Sequence, residues 1–381
     1  MSVWSEVVGQ SAAVETLQRA VADPRSMTHA WLFTGPPGSG RSVAARAFAA
    51  ALQCADGGCG TCHQCTTTLA GTHPDLTVVA TDQVIIRIDE VRGLVGTAAR
   101  TPSLGRYRVI VVEDADRMLE RTTNVLLKAI EEPPPHTVWV LCAPSPQDVL
   151  PTIRSRARAV ALRVPPAQAV ADLVVRRDGV DPHVALSAAR AAQSHVGMAR
   201  RLARDPEARR RRSAVLAVAR RIRGVGDAVL AAGELVEVAK AEAAAATAER
   251  DAAERAELLR ALGVADGETV PPKLRSQVKQ LEDDQKRRAT RRQRDVLDRA
   301  MLDLVSLYRD VLVLQLGAEV DLVNGLEPAD LAVVRALAAD STPEQTVRRM
   351  DAIGVARERL EGNVAPLLAL EAMAIALRPQ G

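Results

Sequence analysis

Four short runs of the chain are apolar through their middles rather than alternating: HAWLFTG (29–35), DLTVVA (75–80), RVIVVED (108–114) and TVWVLCA (137–143). That pattern belongs to strands buried on both faces, as in a parallel sheet. Between them lie stretches with helical spacing, notably RSVAARAFAAALQ (41–53) and TTNVLLKAIEE (122–132). Strand and helix in alternation predict an α/β domain over residues 1 to about 165, closed by Pro165-Pro166. From 167 to 223 the pattern is of short helices only, and from 224 to 381 it is again all helical. In the last region Leu297, Met301, Leu304, Tyr308 and Val311 recur at alternating steps of four and three, marking one buried face. Residues 240–295 stand apart, with 13 basic and 11 acidic residues, no aromatics and a GETVPP break at 267–272. Two exposed antiparallel helices fit this segment, and so does a partly mobile insertion.

Composition narrows the picture in three ways. Apolar residues make up 47% of the 381 positions but aromatics only 2%, so the core must be built from Ala, Val and Leu. Net charge is +3, the remainder of 50 basic and 47 acidic residues, which says little about nucleic acid. Locally, ten arginines against two acids between 200 and 223 mark either a solvated helix face or a nucleic-acid or partner surface. The opening MSVWSEVVGQ has neither a basic n-region nor an apolar h-region, and no run approaches the roughly 18 apolar residues of a membrane span. The expectation is a soluble, cytoplasmic chain with no membrane partner. In a reducing compartment clustered cysteines indicate metal more than disulfides.

The candidate chemistry starts at GPPGSGRS (35–42), which follows an apolar strand and opens a helix. Gly35, Gly38, Ser39, Gly40, Arg41 and Ser42 fit the phosphate-binding form G-x-x-x-x-G-K-[ST] except that Arg41 replaces lysine. Glycines there let backbone N–H groups turn toward phosphate oxygens, and Ser42 stands where a hydroxyl binds Mg²⁺. Arginine keeps the charge, but its planar fork does not substitute for a compact ammonium. The acidic pair expected at a strand end is present as Glu113-Asp114, in reversed order, so each carboxylate's reach is off by one methylene. This is a degenerate nucleotide site. ATP or ADP held without hydrolysis, and a loop retained without nucleotide, both stay open. Downstream, Cys54, Cys59, Cys62 and Cys65 give C-x4-C-x2-C-x2-C, a spacing that can close a tetrahedral structural Zn²⁺ site with no open position for catalysis. His63 or His73 could replace one ligand, and a redox C-x-x-C role is the rival reading. Cys142 reads as a small core residue.

Joined by VVGQ (7–10), THPD (72–75), EDADRM (113–118), LLKAIEEPP (126–134) and IRSRAR (153–158), these motifs resemble the delta-prime subunits of the bacterial DNA polymerase III clamp loader, over essentially the whole chain except 240–295. The resemblance implies an AAA+ α/β domain with its zinc module at 54–65 (residues 1–165), an all-α lid (166–223) and an all-α collar (224–381). It implies assembly with gamma/tau motor subunits and a delta subunit, the complex using ATP to open a sliding clamp and place it on primed DNA. It further implies a stator without ATPase activity of its own. The family's Ser-Arg-Cys motif reads Ser155-Arg156-Ala157 here, so Arg156 is the implied arginine finger acting in trans. Two departures from the motor subunits agree with that: Cys142-Ala143-Pro144 where they carry A-T-T, and Gly197 where they carry a nucleotide-sensing arginine, with Arg200 three residues on. The rival readings are an active AAA+ motor and a zinc-containing DNA-binding module that uses the 200–223 arginines.

Overall fold

Small side chains decide the first unit. In the computed structural model, residues 2–80, 85–264, 271–362 and 364–379 are described, and the chain divides into two units, 1–204 and 205–381. Strands β1 (Ala30–Thr34), β2 (Leu76–Val79), β3 (Arg108–Val112), β4 (Thr137–Ala143) and β5 (Arg158–Ala161) form one parallel sheet in the order β2-β3-β4-β1-β5. Helices α1 (Ser11–Ala22), α2 (Arg41–Gln53), α3 (His63–Ala70), α4 (Ile88–Ala98), α5 (Glu120–Glu131) and α6 (Pro151–Arg154) cover it, and α7 (Ala167–Asp178), α8 (Pro182–Ala191) and α9 (Val196–Arg204) follow. Along each central strand alternate residues serve two cores. Trp31, Phe33, Val109, Val111 and Val140 pack with α2, while Leu32, Ile110, Val112 and Leu141 pack with Leu94 of α4 and Leu126 and Ile130 of α5. The expected α/β class holds, and the four apolar runs are strands.

The fifth strand escaped the apolar pattern for a physical reason. β5 lies at the sheet edge, and only Val160 of its four residues is buried. Its apolar run, AVAL at 159–162, is brief, and an edge strand with a single buried side chain needs no longer one.

Loops of this unit are pinned by buried side chains. Gln10 donates to the Ser39 carbonyl (3.0 Å) and accepts from the Arg163 N–H (3.1 Å). Gly9 has φ +69°, and a Cβ there would meet Pro165 Cβ at 2.9 Å, so the VVGQ and Pro165-Pro166 motifs are one contact. At the other end of the sheet, fully buried Asp75 accepts from the N–H groups of Ser103, Leu104 and Gly105, each at 2.7 Å, and from Arg108 Nη2 at 2.8 Å. Burial pushes its carboxyl up, but the Gly105, Leu104 and Ser103 donors outweigh burial and hold it at about 2.

The second unit contains α10 (Pro206–Arg221), α11 (Val225–Ala261), α12 (Arg275–Leu316), α13 (Pro328–Ala339), α14 (Pro343–Glu361) and α15 (Pro366–Leu377). Leu297, Met301, Leu304, Tyr308 and Val311 all lie in its core, as their spacing predicts. The charged stretch 240–295 is not a separate body, because α11 and α12 run through it as continuous helices. Arg288 bridges to Asp251 (3.0 Å) and Glu254 across this pair, and Arg255 pairs with Glu282. The helical alternative is therefore the observed one; part of the GETVPP break, 265–270, lies outside the described residues. One arginine of the 200–223 cluster is not on a solvated face at all. Arg212 is buried, donating to Asp303 (3.0 Å) and Asn324 (2.7 Å).

Asp75 yields a direct test. A carboxyl held at about 2 instead of its ordinary 3.8 stabilises the folded state by about 2.5 kcal/mol. Asp75→Asn is expected to lower the unfolding free energy in urea by roughly that amount at neutral pH. A depressed carboxyl contributes fully above its unfolded value and loses the contribution as pH falls through its folded value, so the two proteins' stabilities should converge between about pH 4 and pH 2.

Candidate functional site

The phosphate loop leaves β1 and enters α2 as its sequence requires. Gly38 and Gly40 have φ of +87° and +86°, and Gly40 caps α2 in the left-handed region. Gly35 is fixed by crowding, since a Cβ there would sit 2.5 Å from the Leu162 carbonyl oxygen and 2.6 Å from Ser39 Oγ. Ser42 lies half-buried in the first turn of α2. Ser39 is 2% exposed, and its Oγ has no hydrogen-bond partner among the described residues.

The charged groups around the loop are turned to one another. Arg41 does not project from the loop mouth; its Nη1 donates back to the Gly35 carbonyl. Glu113, at the end of β3, accepts from Arg46 Nε (3.2 Å) and Nη2 (2.9 Å). Asp114 lies 3.8 Å from Arg117. Sequence reasoning missed Arg46, although it follows Ser42 by four positions and so shares a face of α2. It also missed His195, whose Cα would stand 3.1 Å from a Cβ at Gly38, so that the turn before α9 packs on the loop. Two non-glycine residues of that turn, Gln193 and Ser194, have positive φ (48° and 64°). Arg200 is bound to Asp178 through Nε and Nη2, both at 2.7 Å, and this pairing holds the Asp178 carboxyl below its ordinary value. Cys142 is buried in β4 as expected, and burial pushes its thiol up to about 12.

The four cysteines converge. The Sγ atoms of Cys54, Cys59, Cys62 and Cys65 all lie within 4.8 Å of one another. Each step of the loop aims a backbone N–H at the preceding sulfur: Cys59 N to Cys54, Cys62 N to Cys59 and Cys65 N to Cys62, each at 3.4 Å. Such donors stabilise thiolates, the form that ligates metal. The N–H groups of Thr61 and Cys62 draw the Cys59 thiol down to about 6, while burial pushes Cys65 up. This donor set can hold a metal ion such as zinc. Neither histidine joins it: His63 is exposed, and His73 Nε2 faces Gln64 Oε1 while its Nδ1 accepts from Asp75 N. Trp4 Nε1 and Val3 N donate to the Gly57 and Gly58 carbonyls, so the chain's first turn docks on the cysteine loop.

Arg156 stands after α6, its side chain 40% exposed. Its neighbour Arg158 is tied down, with Nη1 donating to the Ser26 carbonyl (2.6 Å) and the guanidinium 5.2 Å from the Trp31 ring centroid. Several of the 200–223 arginines also have acidic partners: Arg200 with Asp178, Arg210 with Glu207, Arg211 with Asp205 and Arg221 with Glu234. Among the described residues no helix is long and apolar enough to cross a membrane.

Residues 9–166 match the family model described as DNA polymerase III, delta subunit. Over 164 residues the chain is 40% identical to the DNA polymerase III subunit delta' of Pseudomonas aeruginosa, covering 42% of this chain and 50% of that one. Over 178 residues it is 35% identical to the DNA polymerase III subunit gamma/tau of Mycobacterium bovis, covering 45% of this chain and 31% of the relative. The matched segment thus spans half or less of these relatives. A solved DNA polymerase III gamma subunit-related protein from Thermotoga maritima aligns over 96% of this chain and 98% of its own at 18% identity and a TM-score of 0.44. The resemblance to clamp-loader subunits carried by the motifs holds over the first unit's α/β segment.

The cysteine cluster makes its own prediction. Titrating the reduced chain with Co²⁺ should saturate at one equivalent, with the intense near-ultraviolet band of thiolate ligation, and Zn²⁺ should displace it. Cys59→Ser should weaken the band and lower the affinity for Co²⁺, whereas His63→Ala and His73→Ala should leave both intact. An undiminished band and affinity in Cys59→Ser, or a weakened band in either histidine variant, would contradict a four-thiolate site.

Proposed function

We propose that this chain is a delta-prime-type stator of a clamp loader, which does not hydrolyse ATP and supplies Arg156 to the ATP site of a neighbouring gamma/tau-type motor subunit. With the motor and delta subunits it would help load a sliding clamp onto primed DNA in the cytoplasm. The observation that carries this reading is the pairing of Glu113 with Arg46. Both N–H bonds fall on Oε1, and a carboxylate drawn toward a guanidinium through one oxygen is a poorer ligand for Mg²⁺ and a poorer group for polarising water. Arg41 folded onto Gly35 and Arg200 committed to Asp178 support the same reading.

In this reading the chain's contribution is a cation. Arg156 emerges from the end of α6, its base fixed by buried Ile153 and by Arg158 stacked on Trp31. Inserted beside a partner's γ-phosphate, a guanidinium neutralises charge that develops as the phosphoryl group leaves, worth about 10³–10⁵ in rate for fingers of this kind. A bound metal at the cysteine cluster would cross-link α2 to α3 and hold the loop between them. It would be structural, because four thiolates complete a tetrahedral shell.

The buried, unpartnered Ser39 hydroxyl favours a second reading of the chain's own loop, in which a phosphate oxygen of ATP or ADP satisfies it and nucleotide is held without turnover.

Steady-state ATP turnover by the assembled loader, with clamp and primed DNA, tests the proposal. The chain alone should be silent. Arg156→Ala should slow the assembly at least about tenfold, and up to about 10³-fold if the affected site limits the cycle. Unchanged turnover in Arg156→Ala would remove the finger. Arg41→Lys in the isolated chain should remain silent, because Glu113 stays engaged by Arg46; turnover there would restore the motor reading.

A further inference from the structure

The LLKAIEEPP motif contributes a residue, Glu131, that the site described so far does not use. The Arg156 guanidinium is not swinging free above the surface. Its Nη2 lies 2.7 Å from Glu131 Oε1, and its Nη1 donates to the Thr152 carbonyl (3.0 Å) and the Ser155 hydroxyl (3.1 Å). Both terminal nitrogens are thus taken by the chain's own atoms. Each side of this pair is anchored. Ile130, beside Glu131, is buried and its carbonyl accepts from His29 Nε2 at 2.7 Å, while Ile153 and Arg158 fix the segment that carries Arg156. Glu131 is the last residue of α5, where the partial negative charge of the helix end adds to its carboxylate.

We propose that Glu131 is a positioning residue that holds Arg156 in a resting place, and that the guanidinium reaches a partner's phosphoryl oxygen by exchanging Glu131 for it. The inference rests on the reading of Arg156 as a finger in trans. A planar fork bonds carboxylate and phosphate through the same N–H groups, so an arginine with both terminal nitrogens engaged must release at least one to bind the other. The side chains of the pair are 40% and 43% exposed, so Glu131 restrains the arginine by only about a factor of two to five. A restraint of that size suppresses idle engagement yet yields to a more highly charged phosphate.

The experiment compares ATP turnover of the assembled loader carrying the wild-type chain, Glu131→Gln, Arg156→Ala and the double variant, without clamp and DNA, across a salt series. Circular-dichroism melts of each chain serve as a folding control. Glu131→Gln is expected to raise idle turnover about two- to fivefold at low salt. The gain should shrink as salt screens the pair in the wild-type protein, and it should vanish in the Arg156→Ala background. A merely structural pair would move the melting temperature without this salt-dependent gain. If Glu131→Gln leaves turnover unchanged or lowers it while Arg156→Ala still slows the assembly, the resting-place proposal is overturned and the finger reading survives. If the gain persists without Arg156, Glu131 does not act through that arginine and the proposal is likewise overturned. If Arg156→Ala itself has no effect, the finger reading falls first and this proposal with it.

Discussion

Nearly everything in the first unit hangs on the burial of α2 from Ala44 to its C-terminus. From Ala44 to Gln53 only Arg46 is not buried, and the run is mostly alanine. A helix hidden this fully can sit close to the sheet only if its side chains are small, and every position along it is then fixed by contact. The functional features are strung along that axis. The glycine-rich loop caps its N-terminus, Arg46 reaches Glu113 partway along, Gln53 takes the N–H groups of Arg106 and Tyr107, and Cys54 opens the cysteine cluster at its C-terminus. A shift of α2 would disturb all four at once.

Within that frame the loop keeps the positive-φ glycines of a phosphate-binding turn while the charged groups around it pair internally. Three charged groups that an ATPase would aim at substrate are instead paired with the chain's own atoms: Arg41 with a carbonyl, Glu113 with Arg46 and Arg200 with Asp178. In the stator reading proposed above, such pairing takes away the preorganised electrostatics on which phosphoryl transfer depends. Arg156 differs by degree. Its partners are its own chain too, but they are exposed, and an exposed pair can be exchanged for a stronger one.

The second unit shows the same logic applied to stability. Its long helices carry nearly balanced charge, and α11 and α12 use that charge across their contact, with Arg288 between Asp251 and Glu254. Arg212 goes further, buried with Asp303 and Asn324, where losing one partner would leave an uncompensated charge. A cluster of arginines in sequence is therefore several different things in space: a buried hub, short-range pairs along a helix, and exposed cations.

The sequence by itself determined the strands whose two-sided burial leaves an apolar run, the phosphate loop whose glycines must adopt positive φ, the cysteine spacing that brings four sulfurs together, and the helical face through Leu297 and Tyr308. Each is a local pattern, readable because its physical cause lies within a few residues. Tertiary structure alone decided the edge strand β5, whose partner β1 lies far upstream and whose exposure leaves only a brief apolar run. It also decided every charge pairing that sets the site's chemistry. Arg46 with Glu113, Arg200 with Asp178 and Arg156 with Glu131 join residues 67, 22 and 25 positions apart. Coulomb attraction depends on distance in space, and only the packed fold sets that distance.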